Sequence, residues 1–167
     1  MSKILTWEAL KREVDRLRRE GKKIAFTNGC FDILHVGHVR YLSEARRTAD
    51  CLVLALNSDA SVRAIKGEKR PLVPEAERAE VVAALNCVDF VTLFAETNPL
   101  KLIEYLRPDI LVKGADWPEE AVVGREAVLS WGGRVILCPL TEGASTTNIV
   151  AKVLQVYGGG AKMEPPS

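Results

Sequence analysis

Apolar positions recur along the chain in two alternating rhythms. Trp7, Leu10, Val14 and Leu17 share one face at helical spacing, and Gly21 follows, so a helix is predicted from Thr6 to about Glu20. Lys22–Thr27 then reads as a strand that ends at Asn28-Gly29, and a helix is expected over Val36–Thr48. Cys51–Leu56 is an unbroken apolar run, the pattern of a strand covered on both faces. Ser58–Lys66 predicts a short helix, and after a polar loop Pro74 stands as the first helical residue of Pro74–Leu85. The remaining segments alternate in the same way. Strands are expected at Val88–Phe94, Ile110–Lys113 and Arg134–Cys138, and helices at Asn98–Leu106 and Gly124–Trp131. A last helix is expected at Ser145–Tyr157, with Ile149, Val150, Val153, Leu154 and Tyr157 as its mainly apolar stripe.

Strictly alternating strands and helices predict an α/β fold: a doubly wound parallel sheet of about five strands, joined by right-handed crossovers, with helices on both faces. Ligands of such sheets bind beyond the carboxyl ends of the strands, where the strand order reverses. The loops to read are therefore Asn28–His38, Asn57–Arg70, Gly114–Trp117 and Pro139–Thr147. No internal repeat or second boundary is visible, so one domain is expected over 1–157, with 158–167 as a disordered tail.

Composition narrows the function classes. The 167 residues carry 23 Lys+Arg against 22 Asp+Glu, a net charge of +1, which does not fit a dedicated nucleic-acid binder or an acidic disordered chain. The basic stretch Lys11–Lys23 reads as a solvated helix face, and no nucleic-acid partner is expected. Cys51–Leu56 is too short to cross a bilayer, and the first residues lack the apolar segment of a signal peptide; a cytoplasmic protein with no membrane partner is expected. Cys30, Cys51, Cys87 and Cys138 form no CxxC pair and predict free thiols.

Both histidines of the chain lie in His35-Val36-Gly37-His38, at the start of the helix that follows the first strand. Three residues apart, they project from neighbouring positions on one face. A helix start offers unpaired N–H groups and positive potential, and Gly37 allows an anion close to the backbone, which together predict a phosphate site. Three other readings compete: a pair of core histidines, a zinc site from Cys30, His35 and His38 that lacks a visible fourth ligand, and a hydrolytic pair that lacks a signalled nucleophile.

The stretch Gly29-Cys-Phe-Asp-Ile-Leu-His-Val-Gly-His38 resembles the GxFDxxHxGH signature of the cytidylyltransferase-like (HxGH) nucleotidyltransferases, which are Rossmann-like. Thr141-Glu-Gly-Ala-Ser-Thr-Thr147 resembles the TEGxSTT motif of the same family. Asn57-Ser-Asp, Lys66-Gly, Arg70-Pro, Glu77-Arg78, Leu111-Val-Lys-Gly-Ala-Asp-Trp117 and Ser145-Thr-Thr-Asn-Ile are similar to the sugar-phosphate adenylyltransferases of ADP-heptose synthesis, over about Leu5 to Leu154. In some bacteria that activity is fused behind a kinase domain; here it is expected alone. The resemblance implies transfer of AMP from ATP to D-glycero-D-manno-heptose 1-phosphate, giving pyrophosphate and ADP-heptose for the lipopolysaccharide inner core. Its partners would be ATP and the sugar 1-phosphate, with Mg2+ carried mainly on the ATP phosphates, in a homodimer or higher homo-oligomer.

The resemblance also implies roles. His35, His38 and Lys66 would be catalytic, the imidazoles donating to the triphosphate and Lys66 neutralising phosphate charge, with Lys69 and Arg70 close enough to replace it. Cys30, Phe31, Gly37, Asp116, Thr141, Gly143, Ser145, Thr146 and Thr147 would join the histidines in binding the nucleotide. Asn28, Asp32, Lys66, Arg78 and Trp117 would contact the acceptor; no residue is assigned as a direct metal ligand. Asp32 has two readings, a loop-orienting one and help to the metal through water. Arg78 would serve a phosphate or a subunit interface, with an exposed helical ion pair as its ordinary alternative, and Ser145 has one as an N-cap. Glycerol-phosphate cytidylyltransferases place Arg before TEG, where this chain has Leu140. The runner-up activities are a cytidylyltransferase for glycerol 3-phosphate or a related alditol phosphate and a heptose 1-phosphate guanylyltransferase. More distant are an ATP-sensing module without turnover and a zinc-structured interaction domain.

Overall fold

The computed structural model describes residues 2–116 and 118–158. Five strands, β1 (Ile24–Gly29), β2 (Cys51–Asn57), β3 (Phe90–Phe94), β4 (Ile110–Gly114) and β5 (Arg134–Cys138), alternate with seven helices. These are α1 (Trp7–Arg19), α2 (Val36–Arg47), α3 (Asp59–Lys66), α4 (Glu75–Ala83), α5 (Leu100–Leu106), α6 (Arg125–Ser130) and α7 (Thr146–Tyr157). All pairings are parallel and the strand order is β3-β2-β1-β4-β5. This is the doubly wound, Rossmann-like sheet expected from the sequence.

The period-two pleat sorts each strand's side chains between two cores. Cys51, Val53 and Ala55 of β2 pack with Leu10, Val14, Leu102, Ile103 and Val128 from α1, α5 and α6. Leu52, Leu54 and Leu56 face the other way, against Leu42, Ala45, Ala79 and Val82 from α2 and α4. A strand so enclosed has no polar face, which is why β2 reads as a continuous apolar run. Helix starts follow their caps: the Thr6 hydroxyl accepts from Ala9 N and the Ser58 hydroxyl from Ser61 N. The basic stretch of α1 is a solvated face, laced by Lys11–Asp15 at 2.5 Å, Arg16–Glu20 at 2.6 Å and Arg16–Glu13 at 3.0 Å.

Three details differ from the sequence reading. Pro74 is the N-cap of α4 rather than its first helical residue. β3 begins at Phe90 because the Asp89 carboxylate accepts from Leu52 N at 2.7 Å and binds Arg46. The apolar stripe of α7 covers no core, for the helix has no buried residue and Leu154 is 64% exposed.

Sheet order fixes where the functional loops converge. From β1 the chain moves outward through β2 to β3, then crosses back to β4 on the other side of β1. The carboxyl ends of β1 and β4 are therefore the point of reversal, and no crossover covers the gap above them.

Candidate active site

A cleft of about 560 Å³ opens at that reversal point. Asn28, Cys30, Phe31 and Asp32 enter it from the end of β1 and the loop beyond. His35, Gly37 and His38 enter from the start of α2, Lys66 from the last turn of α3, and Asp116 from beyond β4. Thr141, Ser145, Thr146 and Thr147 line the opposite wall. The two sequence motifs, far apart along the chain, thus meet across one opening. Gly143 stands outside the lining; its φ of 72° makes the turn, and its carbonyl accepts from Asn148 Nδ2 at 2.9 Å. Ser145 caps α7 by accepting from Asn148 N at 3.0 Å, and Thr146 Oγ1 donates to Ile33 O at 3.3 Å, which ties this loop to the one after β1. Trp117 lies outside the described residues, as does the tail beyond Gly158.

The imidazoles of His35 and His38 stack with centroids 3.8 Å apart, and Phe31 packs against His38 at 4.9 Å. Phe31 takes up this position with a φ of 44°, an uncommon conformation for a bulky residue. Burial lowers both imidazole pKa values, and the neighbouring His35 helps push His38 down to about 4. Among the described residues, His35 Nδ1 and His38 Nδ1 are the buried side-chain polar atoms without hydrogen-bond partners. Native folds rarely leave such atoms unsatisfied, so both ring nitrogens have bonding capacity to spare at the cleft. His35 is also the N-cap of α2 yet makes no capping bond, and the first turn holds no acidic residue. The helix start therefore keeps its positive potential for an incoming anion.

The same shift predicts an acid-dependent loss of stability. Between pH 6.5 and about 4 the unfolded chain binds a proton at residue 38 that the folded chain refuses. Stability from this group is complete above 6.5 and falls as pH drops toward 4. Thermal melts across that range are expected to show a falling midpoint, and His38→Gln a flatter profile; parallel profiles would refute the assignment.

Asp32 is bound to the loop before α4. Its carboxylate accepts from Arg70 Nε at 2.6 Å, from Leu72 N at 2.9 and 3.0 Å and from Val73 N at 2.9 Å. Burial works to raise its pKa, but the amides of Leu72 and Val73 and the Arg70 guanidinium outweigh it and hold the carboxyl below its ordinary value. The same pair commits Arg70, so it is not the free substitute for Lys66 that its position in the sequence suggests. Lys66 is exposed and, among the described residues, makes no ion pair.

Arg78 corrects the acceptor-contact and exposed-pair readings. It neither contacts the cleft nor forms an exposed helical pair, because its side chain is fully buried. Its guanidinium donates to Val73 O at 2.9 Å, Cys30 O at 2.6 Å and Asp59 Oδ1 at 2.7 Å. It holds the loop after β1, the start of α3 and the approach to α4 together from beneath, a positioning role.

Leu140 lines the cleft with its side chain exposed, so no cation stands before the Thr141 loop. Sequence reading also missed Tyr41 and Lys113. The Tyr41 hydroxyl lies 2.7 Å from Thr27 Oγ1 and donates to Val112 O at 3.1 Å, pinning α2 to the sheet beneath the cleft. Lys113 donates from the end of β4 to Asn28 Oδ1. Its signal was a lysine set into an apolar strand, just where such a strand reaches the ligand end.

Among the described residues, no three His, Cys, Asp or Glu side chains converge to hold a metal ion, and no helix is long and apolar enough to cross a membrane.

Comparison with known proteins agrees with this geometry. The cytidylyltransferase-like family pattern matches residues 26–152. Bifunctional protein HldE of Geobacter metallireducens is 56% identical over 157 residues, 94% of this chain and 32% of that protein. The HldE of Syntrophotalea carbinolica is 57% identical over 159 residues, 95% of this chain and 32% of the relative. The chain thus spans about a third of the length of these curated relatives. Among solved structures, a lipopolysaccharide core biosynthesis protein from Thermoplasma volcanium is similar with a TM-score of 0.61 at 28% identity, covering 74% of this chain and all of its own. A pantoate-beta-alanine ligase from Francisella tularensis shares the fold with a TM-score of 0.63 at 14% identity, over 93% of this chain and 80% of its own. With the family pattern spanning both motifs and the sheet that presents them, the chain belongs to the cytidylyltransferase-like family of nucleotidyltransferases.

Proposed function

We propose that the cleft transfers AMP from ATP to D-glycero-D-manno-heptose 1-phosphate, in the cytoplasm, making ADP-heptose for the lipopolysaccharide inner core. The observation that carries the reading is the stacked pair of imidazoles with unpartnered Nδ1 atoms at an uncapped helix start. The similarity to the HldE proteins over almost the whole chain supports the choice of acceptor.

An oxygen of the acceptor's phosphate attacks the α-phosphorus. The new P–O bond forms as the bond from that phosphorus to the β-bridging oxygen breaks, and pyrophosphate leaves with the electron pair. A phosphate monoester is ionised near neutral pH, so no side chain has to remove a proton. The protein's work is to bring anions together and to neutralise them. Neutral His35 and His38 donate N–H bonds to the phosphate oxygens, and the free amides at the start of α2 add to them. Lys66 meets the charge from the side of α3. Thr146 and Thr147, at the start of α7, close the nucleotide side.

Asp32 has its oxygens taken up by Arg70, Leu72 and Val73, and no carboxylate cluster forms among the described residues, which supports Mg2+ held on ATP. The ion would supply neutralisation of the β- and γ-phosphate charge.

The test is a matrix of each nucleoside triphosphate against heptose 1-phosphate and glycerol 3-phosphate, read as pyrophosphate release. Release is expected with ATP and the heptose. Faster release with CTP and glycerol 3-phosphate would overturn the assignment.

A further inference from the structure

A second cavity, of about 230 Å³, opens off the main cleft. The two share Asn28, Ile65, Thr97 and Lys113. Neither histidine and no residue from the start of α7 lines this annex. Its walls combine Pro99, Val122 and Val123 with the polar side chains of Thr97 and Asn98. Lys113 is its one cationic lining residue among those described.

The placement of Lys113 is unusual. β4 is buried from Ile110 to Val112, and Lys113 then turns a half-buried side chain into the junction of the two cavities. Its ammonium meets the neutral Asn28 amide and makes no ion pair among the described residues. Burial lowers its pKa to about 8, partly opposed by the pull of Asp116. A partly desolvated ammonium with no carboxylate in contact is poorly compensated in the free protein and gains when an anion arrives. The cleft therefore has two differently furnished ends. One has stacked imidazoles and two helix starts; the other has one lysine above a small annex.

We propose that Lys113 is the acceptor-binding residue, seating the phosphate of the sugar phosphate while the sugar's carbon skeleton enters the annex beside Thr97, Asn98 and Val123. This rests on the adenylyl-transfer reading and divides the cleft between the two substrates. Lys113 and Asn28 present the attacking phosphate toward the nucleotide held at the histidine end. The apolar walls face the C–H surface of the sugar, and Thr97 and Asn98 meet its hydroxyls. One cation at the annex mouth among the described residues suits one phosphate monoester rather than a triphosphate.

Two variants test this, Lys113→Met, which keeps the stem and removes the charge, and Val123→Trp, which fills the annex from a position 42% exposed. Each is assayed for pyrophosphate release with KM determined separately for ATP and for heptose 1-phosphate. Binding of α,β-methylene-ATP and of heptose 1-phosphate is measured by calorimetry, and melting temperature is recorded. For Lys113→Met the heptose 1-phosphate KM is expected to rise about 30-fold, the loss of a charged hydrogen-bond partner. The ATP KM and analogue affinity should stay within about twofold, and the melting temperature should not fall. Val123→Trp should raise the same acceptor KM with Lys113 intact. An unchanged acceptor KM, or an equal loss of analogue binding, would overturn the proposal. If wild type released no pyrophosphate from ATP and heptose 1-phosphate, the parent reading would fail. Calorimetry would still judge Lys113, since equal heptose 1-phosphate affinity in wild type and Lys113→Met refutes its role.

Discussion

His38→Ala is expected to lower turnover by about 10²–10³-fold, the range seen when one preorganised donor to a developing oxyanion is removed. The imidazole sits between His35 and Phe31 and is held neutral by its burial. A neutral ring can still donate one N–H, and its orientation is fixed before substrate arrives, so no reorganisation is needed as charge builds on the α-phosphate. The loss should appear in kcat more than in the KM for ATP, because charge on the departing pyrophosphate is greatest in the transition state. Single-turnover transfer of labelled AMP reads the chemical step directly. Circular dichroism should show an intact fold, since the side chain is only half-buried. A variant of near wild-type rate would remove His38 from the chemistry.

The largest effect on stability is expected at Arg78. Its guanidinium serves Cys30, Val73 and Asp59 from a fully buried position. Arg78→Met would leave two carbonyls and a carboxylate short of their donors while keeping most of the packing volume. Breaking a buried ion pair on one side is destabilising by roughly 3–5 kcal/mol. Asp59 retains 26% side-chain exposure and can recruit water, which places the expectation near the lower bound. Urea unfolding should show the midpoint falling with little change in slope. Arg78→Lys should restore only part of it, because an ammonium does not reproduce the planar fork. Unfolding curves superimposable on wild type would refute the bracing role. Activity should fall as well, since the Cys30 carbonyl is part of the loop that carries the site.

Much of this architecture was legible in the chain. β2 shows its double enclosure in every residue from Cys51 to Leu56, and Thr6, Ser58 and Ser145 mark helix starts by their own hydroxyls. The site was legible where chemistry and glycine occur together, as in His35-Val36-Gly37-His38. What escaped depended on distance along the chain. Arg78 has acidic residues around it on its own helix, and the local pattern pairs it with them; its partner carbonyl at Cys30 is brought beneath it by the sheet. Arg70 looked free because Asp32 is its partner only after folding. Lys113 sits in a strand whose periodicity speaks for burial, and the strand order reveals that its side chain enters the junction of two cavities. The stripe on α7 was legible as a pattern, but periodicity does not say which surface, if any, a stripe covers.

Gly37 lies where the first turn of α2 approaches the wall that precedes α7. A methyl group there would come within 3.0 Å of the His35 ring and 3.1 Å of the Ala144 methyl. Two of the smallest residues thus act as a caliper, and the aperture between the halves of the cleft is graduated in single carbon atoms. Enlarging either one would force the jaws apart or twist an imidazole out of line, so the width of the cleft is governed by atoms the chain lacks as much as by those it presents.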